Sequence, residues 1–85
     1  MTNRADRMRT LLAQAFAPSF LEIEDQSHLH HGHAGASPGG ETHYAVRIRS
    51  SLLSPLSRVA RHRAINETLA DEFARGLHAL SLDAG

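Results

Sequence analysis

Two short stretches in which apolar and polar residues alternate, Phe20–Asp25 and residues 43–50, flank a segment that belongs to neither. In the first, Leu21 and Ile23 face one way and Glu22 and Glu24 the other; in the second, Tyr44, Val46 and Ile48 oppose His43, Ala45, Arg47 and Arg49. A period of two is that of a half-buried strand, and antiparallel pairing of the two stretches makes the segment between them a hairpin connection. Such connections ordinarily run about two to five residues, so one of roughly seventeen is either functional or without fixed structure. Five of the seven histidines lie between His28 and His43, interleaved with four of the six glycines and with Pro38. Glycine and proline keep such a stretch from closing into a helix or a paired strand, while histidine is the commonest metal ligand and titrates near neutrality. The expectation is a mobile ligand arm, residues 27–42, hung from a small fold.

The flanks supply the rest of that fold. Over residues 3–17, Ala5, Met8, Leu11, Leu12, Ala15 and Phe16 recur at helical spacing, with Asn3 placed to cap, Asp6 three residues on, and Pro18 and Ser19 ending the run. Residues 51–56 form a link broken by Ser54 and Pro55, and Ser57 is placed to cap a second helix. That helix is predicted over 58–75, with Val59, Ile65, Leu69 and Phe73 on its apolar stripe, His62 packed within that stripe, and Gly76 at its end. A short strand over 77–82 places His78 on the side of Leu80 and Leu82, and residues 83–85 are read as a frayed tail. The order α-β-β-α-β predicts one α+β domain over 1–85, a three-stranded mixed sheet with helices on one face and the last strand parallel to one of the first two.

At 85 residues the chain holds one core, and with no cysteine it has neither a disulfide framework nor a thiolate for a metal cluster. The first nine residues do not lead into a continuous apolar run and no segment reaches membrane-spanning length, so cytoplasm is the expected location and no membrane partner is expected. Formal net charge is zero, but Arg47, Arg49, Arg58, Arg61 and Arg63 fall in a stretch, 42–66, without a single acid. These arginines are the candidates for phosphate contacts, or equally for docking an acidic protein face. There is no Gly-x-x-Gly clamp, no aromatic platform for stacked bases, and no activated nucleophile motif, so RNA binding of the KH type, single-strand stacking and enzymatic catalysis are all unsupported.

Several segments together carry a family resemblance. They are Leu21-Glu22-Ile23-Glu24-Asp25-Gln26-Ser27, Glu41-Thr42-His43, Ser50, Ser57-Arg58-Val59-Ala60-Arg61-His62-Arg63-Ala64-Ile65, Leu69-Ala70-Asp71-Glu72 and Gly76-Leu77-His78-Ala79-Leu80-Ser81-Leu82. With them, nearly the whole chain resembles the BolA family. That resemblance implies a fold like the class II KH domain and two roles: DNA-binding transcription regulator, and partner of monothiol glutaredoxins in iron–sulfur cluster handling. In the second role the resemblance implies a shared [2Fe-2S] cluster, with sulfur ligands from glutaredoxin and glutathione and none bound by this chain alone. It further implies a last-strand ligand at His78 and a loop ligand best matched by His33, with His31 and His30 as alternates. The chain departs from the family pattern at Leu53-Ser54-Pro55, where a Phe-x-Gly segment is usual, and at Arg49, where an apolar residue is common.

The pairing of a loop imidazole with a strand imidazole is chemically coherent. Imidazole in place of thiolate on one iron raises the potential of a cluster, and two histidines are too few for a closed structural zinc site. His28, His30 and His31 also form the kind of tract that chelates zinc, nickel or copper adventitiously. His43, at the start of a strand, is open to either ligation or anchoring of the loop.

Overall fold

Helix α1, Arg4–Phe16, forms where the capping pattern placed it. In this computed structural model, which describes residues 3–26 and 43–85, the Asn3 side chain accepts the Asp6 backbone N–H at 2.9 Å, a cap worth about 1 kcal/mol. Arg4, Met8, Leu12 and Phe16 are its buried residues. They lie four apart, so one narrow stripe enters the core and its first position is an arginine. At the other end Ala17 is left-handed (φ 42°, ψ 55°) and donates to the Ala13 carbonyl. The Ser50 hydroxyl donates to the Phe16 carbonyl at 2.6 Å and accepts from the Leu52 N–H, tying the end of α1 to the turn after the second strand.

Strands β1 (Phe20–Asp25) and β2 (His43–Arg49) pair antiparallel, with Leu21 opposite Ile48 and Ile23 opposite Val46. Strand β3 (Ala79–Ala84) pairs parallel to β2, giving the order β1-β2-β3 with β2 central. Tyr44, Val46 and Ile48 are buried, and Leu21, Ile23, Leu80 and Leu82 pack around them against the helices. Mixed sheet, α+β class and helices on one face agree with the periodicity.

The region after β2 departs from expectation in physically informative ways. The predicted single helix is two: α2 (Arg58–Thr68), capped by Ser57, and α3 (Ala70–Ala74), separated by Leu69 at φ −99°, ψ 12°. Leu69 is fully buried there, so the chain turns at the point where it inserts into the core. The predicted stripe fails at its first member, because Val59 is 60% exposed; Leu53, from the link, fills the core in its place at 0%. His62, expected within that stripe, is only half-buried and lines an open groove with Arg58, Arg61, Leu82, Asp83 and Ala84. Helix α3 ends in a Schellman arrangement: the Leu77 N–H reaches the Glu72 carbonyl, the Gly76 N–H reaches Phe73, and Gly76 takes φ +119°. The last strand begins two residues later than predicted and ends two later, so residues 83–85 are not frayed. Asp83 and Ala84 are paired with β2, the Gly85 N–H donates to the Ile48 carbonyl, and the Gly85 carbonyl accepts from Ser50.

Candidate functional site

His78 sits between buried Leu77 and the first residue of β3, and its side chain is exposed. It therefore precedes the strand instead of continuing the Leu80 and Leu82 face. His43 opens β2 and is 6% exposed. Parallel pairing sets His43 opposite Ala79, which brings the His43 and His78 rings to a centroid separation of 5.3 Å with their planes tilted by 49°. Next to them, the Gln26 N–H donates to the His43 carbonyl at 2.7 Å. Gln26 and His43 are the residues between which 27–42 is strung, so one end of the sheet gathers both anchors of that segment and His78. Gln26, His43, Tyr44, Ala79, Leu80 and Ser81 line an open pocket of about 240 Å³ there. His30, His31 and His33 lie outside the described residues. Among the described residues no group of three or more metal-ligating side chains comes together.

The five arginines do not act alike. Arg47 lies within 3.8 Å of Glu22 and 3.6 Å of Asp83, its register partners on the two neighbouring strands, and its guanidinium stands 5.9 Å from the Phe20 ring centroid. Arg49 pairs with Asp83 at 3.0 Å. The acid-free stretch in the sequence is thus not acid-free in space, because β1 and β3 bring carboxylates to it. Arg61 donates to the carbonyls of Leu53 (2.9 Å), Ser54 (2.8 Å) and Ala84 (3.3 Å), binding the link and the last strand to α2. Arg58 and Arg63 are exposed and make no side-chain ion pair or hydrogen bond among the described residues.

Sequence reasoning did not anticipate the approach of His43 to His78, which are thirty-five residues apart. A signal existed: setting Tyr44, Val46 and Ile48 beside Leu80, Leu82 and Ala84 in parallel register also sets His43 beside Ala79. The largest charged cluster was likewise invisible. Glu72, buried, receives Arg4 and both nitrogens of an Arg7 fork at 2.9–3.1 Å. The Arg7 hydrogen bonds outweigh the burial of the Glu72 carboxyl and hold it below the usual glutamate range, with Arg4 adding to the effect.

Residues 12–85 match the sequence model of the BolA family, described as BolA-like protein. A Sinorhizobium protein known as the uncharacterized protein in the cobS 5' region is 51% identical over 73 residues, covering 85% of this chain and 78% of its own length. The DNA-binding transcriptional regulator BolA of Vibrio cholerae is 38% identical over 77 residues, covering 91% of this chain and 69% of its own. Among solved structures, the BolA domain of SufE1 from Arabidopsis thaliana superposes with a TM-score of 0.87 at 43% identity, covering 99% of this chain and 92% of that one. Some relatives are much longer: the chain spans 23% of the Arabidopsis SufE-like protein 1 and 51% of Arabidopsis BOLA1. By the match over most of its length and by these relatives, the chain belongs to the BolA-like protein family.

Proposed function

We propose that the chain is a non-catalytic partner of a monothiol glutaredoxin, contributing histidine ligands to a shared [2Fe-2S] cluster in iron–sulfur trafficking or iron regulation, in the cytoplasm. The observation that carries this reading is the gathering, at one end of the sheet, of exposed His78 and both anchors of the histidine-rich segment, Gln26 and His43. From those anchors a loop imidazole, His33 first and His31 or His30 as alternates, is within chain reach of the same edge. The donor set fits a shared site: this chain has imidazoles and no thiol, so sulfur ligands come from the glutaredoxin and its glutathione. When bound, the cluster supplies a redox-active and transferable iron–sulfur unit. The protein's part is to hold His78 on a fixed rim, with its backbone committed by buried Leu77 on one side and β3 pairing on the other.

Mixing the protein with cluster-loaded glutaredoxin and recording the visible spectrum tests this. His78→Ala abolishes the spectral change seen with the natural chain and His33→Ala weakens or abolishes it; an identical spectrum in all three would refute the ligand assignment.

A second reading, a DNA-binding regulator, is favoured by two observations: Arg58 and Arg63 on α2 are exposed and, among the described residues, unengaged, and the Vibrio cholerae relative bears that function in its name. Arg47, Arg49 and Arg61 contribute less to it, because their charges or donors are already committed. Affinity for duplex DNA would then fall steeply with salt and with Arg58→Ala and Arg63→Ala.

A further inference from the structure

The geometry points to a second metal function: we infer that His43 and His78 together form a two-nitrogen site for a single divalent cation of the zinc class, held without any partner protein. It shares His78 with the cluster site proposed above, but needs neither glutaredoxin nor iron.

The spacing of the rings is the first argument. A zinc-class ion binds imidazole nitrogen at about 2.0–2.1 Å, and that nitrogen lies roughly 1.1 Å from its ring centre, so each centroid stands about 3.2 Å from the metal. Two such rings at the tetrahedral angle have centroids about 5.2 Å apart. The observed separation is 5.3 Å. Flipping a ring exchanges nitrogen and carbon positions but leaves its centroid in place, so this match does not depend on how either ring is assigned.

The backbone supplies the second argument. His43 is fixed by β2, with its carbonyl held by the Gln26 N–H, and His78 is fixed by the register that sets His43 against Ala79. A ligand that opens β2 and one that directly precedes β3, its parallel neighbour, lose little freedom when a metal joins them, which is the preorganisation a small site needs. His43 is nearly buried and His78 exposed, so the ion is reached from the solvent side and keeps positions open to water or an incoming ligand. Imidazole suits zinc, cobalt and nickel over magnesium and calcium. Two nitrogens give a weaker site than the four ligands of a structural zinc centre.

Histidines elsewhere in the chain would mask such a site, so the test uses a full-length variant with His28, His30, His31 and His33 all changed to Ala. Titrated with Co²⁺ alone, this variant binds one ion, and two exchangeable imidazole N–H signals move far outside the diamagnetic proton range. Zn²⁺ displaces the ion and excess Mg²⁺ does not. In the same background, His78→Ala and His43→Gln each weaken binding at least tenfold, with the amide spectrum of the metal-free protein reporting an intact fold. His78 is exposed, so its substitution remains informative even where that at His43 disturbs packing. Absence of Co²⁺ binding in the loop variant, or binding indifferent to His78→Ala, overturns the inference and identifies the ring pair as a packing contact. Neither result bears on the glutaredoxin spectrum, which is read separately.

Discussion

Glu72 is the residue on which helices α1 and α3 meet. It is 2% exposed, comes from α3, and is held by Arg4 and Arg7 of α1, which lie 68 and 65 positions away. Arg4 also donates to the Arg75 carbonyl, so the same guanidinium closes the end of α3. Removing the charge leaves buried Arg4 without its counter-ion, at a cost on the order of 3 kcal/mol. The pKa of Glu72 is lowered on folding, chiefly by the Arg7 hydrogen bonds, so its contribution is fully present above the ordinary glutamate range and is lost as pH falls through the lowered value. Urea unfolding of Glu72→Gln against the natural protein should therefore show a large gap at neutral pH that narrows in acid, where both carry a neutral side chain. A gap independent of pH would mean that packing, not charge, sets the cost. No local period announces this cluster. Glu72 is not part of the apolar stripe predicted for residues 58–75 and nothing in the sequence marks its partners, because they are set by how α1 and α3 cross and not by spacing along either.

At the level of elements, α1, β1 and β2 were legible because each carries a complete period: Met8, Leu12 and Phe16 for the helix, Leu21 with Ile23 and Tyr44 with Val46 and Ile48 for the strands. Helix α2 was less so. Its own face offers only Ile65 as a buried residue, and it is tied down by hydrogen bonds from Arg61 to the Leu53 and Ser54 carbonyls of the preceding link and to the Ala84 carbonyl of the last strand. Those bonds also explain why the final residues are ordered, since Ala84 is held by Arg61 and by its pairing with Ile48. Five arginines that look equivalent in sequence thus divide by what their neighbours in space provide. Arg61→Ala should lower stability by about 1–2 kcal/mol, the loss of charge-assisted bonds to carbonyls. Arg58→Ala and Arg63→Ala should stay within about 0.5 kcal/mol of the natural protein. Denaturant midpoints measure the difference, and equal losses at all three positions would contradict the structural role given to Arg61. The same contrast makes Arg58 and Arg63 the cleaner probes of DNA binding, because their loss leaves the fold untouched.

For the whole molecule, the function proposed above rests on the sheet end where Gln26, His43 and His78 meet. The pairing of β1 with β2 is specified by side-chain alternation, since a slip of one residue would turn Leu21, Ile23, Val46 and Ile48 outward. The length of the connection between them is therefore not needed to set the register. Replacing residues 27–42 with a four-residue hairpin turn tests this directly. Closing a shorter connection costs less entropy, by about 1 kcal/mol for a fourfold reduction in length. The shortened protein should consequently unfold at an equal or higher denaturant concentration, with the amide spectrum of the sheet preserved. It should no longer give the shared-cluster spectrum with a loaded glutaredoxin, because His30, His31 and His33 are gone, yet it should still take up one Co²⁺ through His43 and His78. Destabilisation of the shortened chain would show that residues 27–42 contribute to the fold itself. A retained cluster spectrum would remove the loop histidines from the ligand set and leave His43 as the imidazole that accompanies His78.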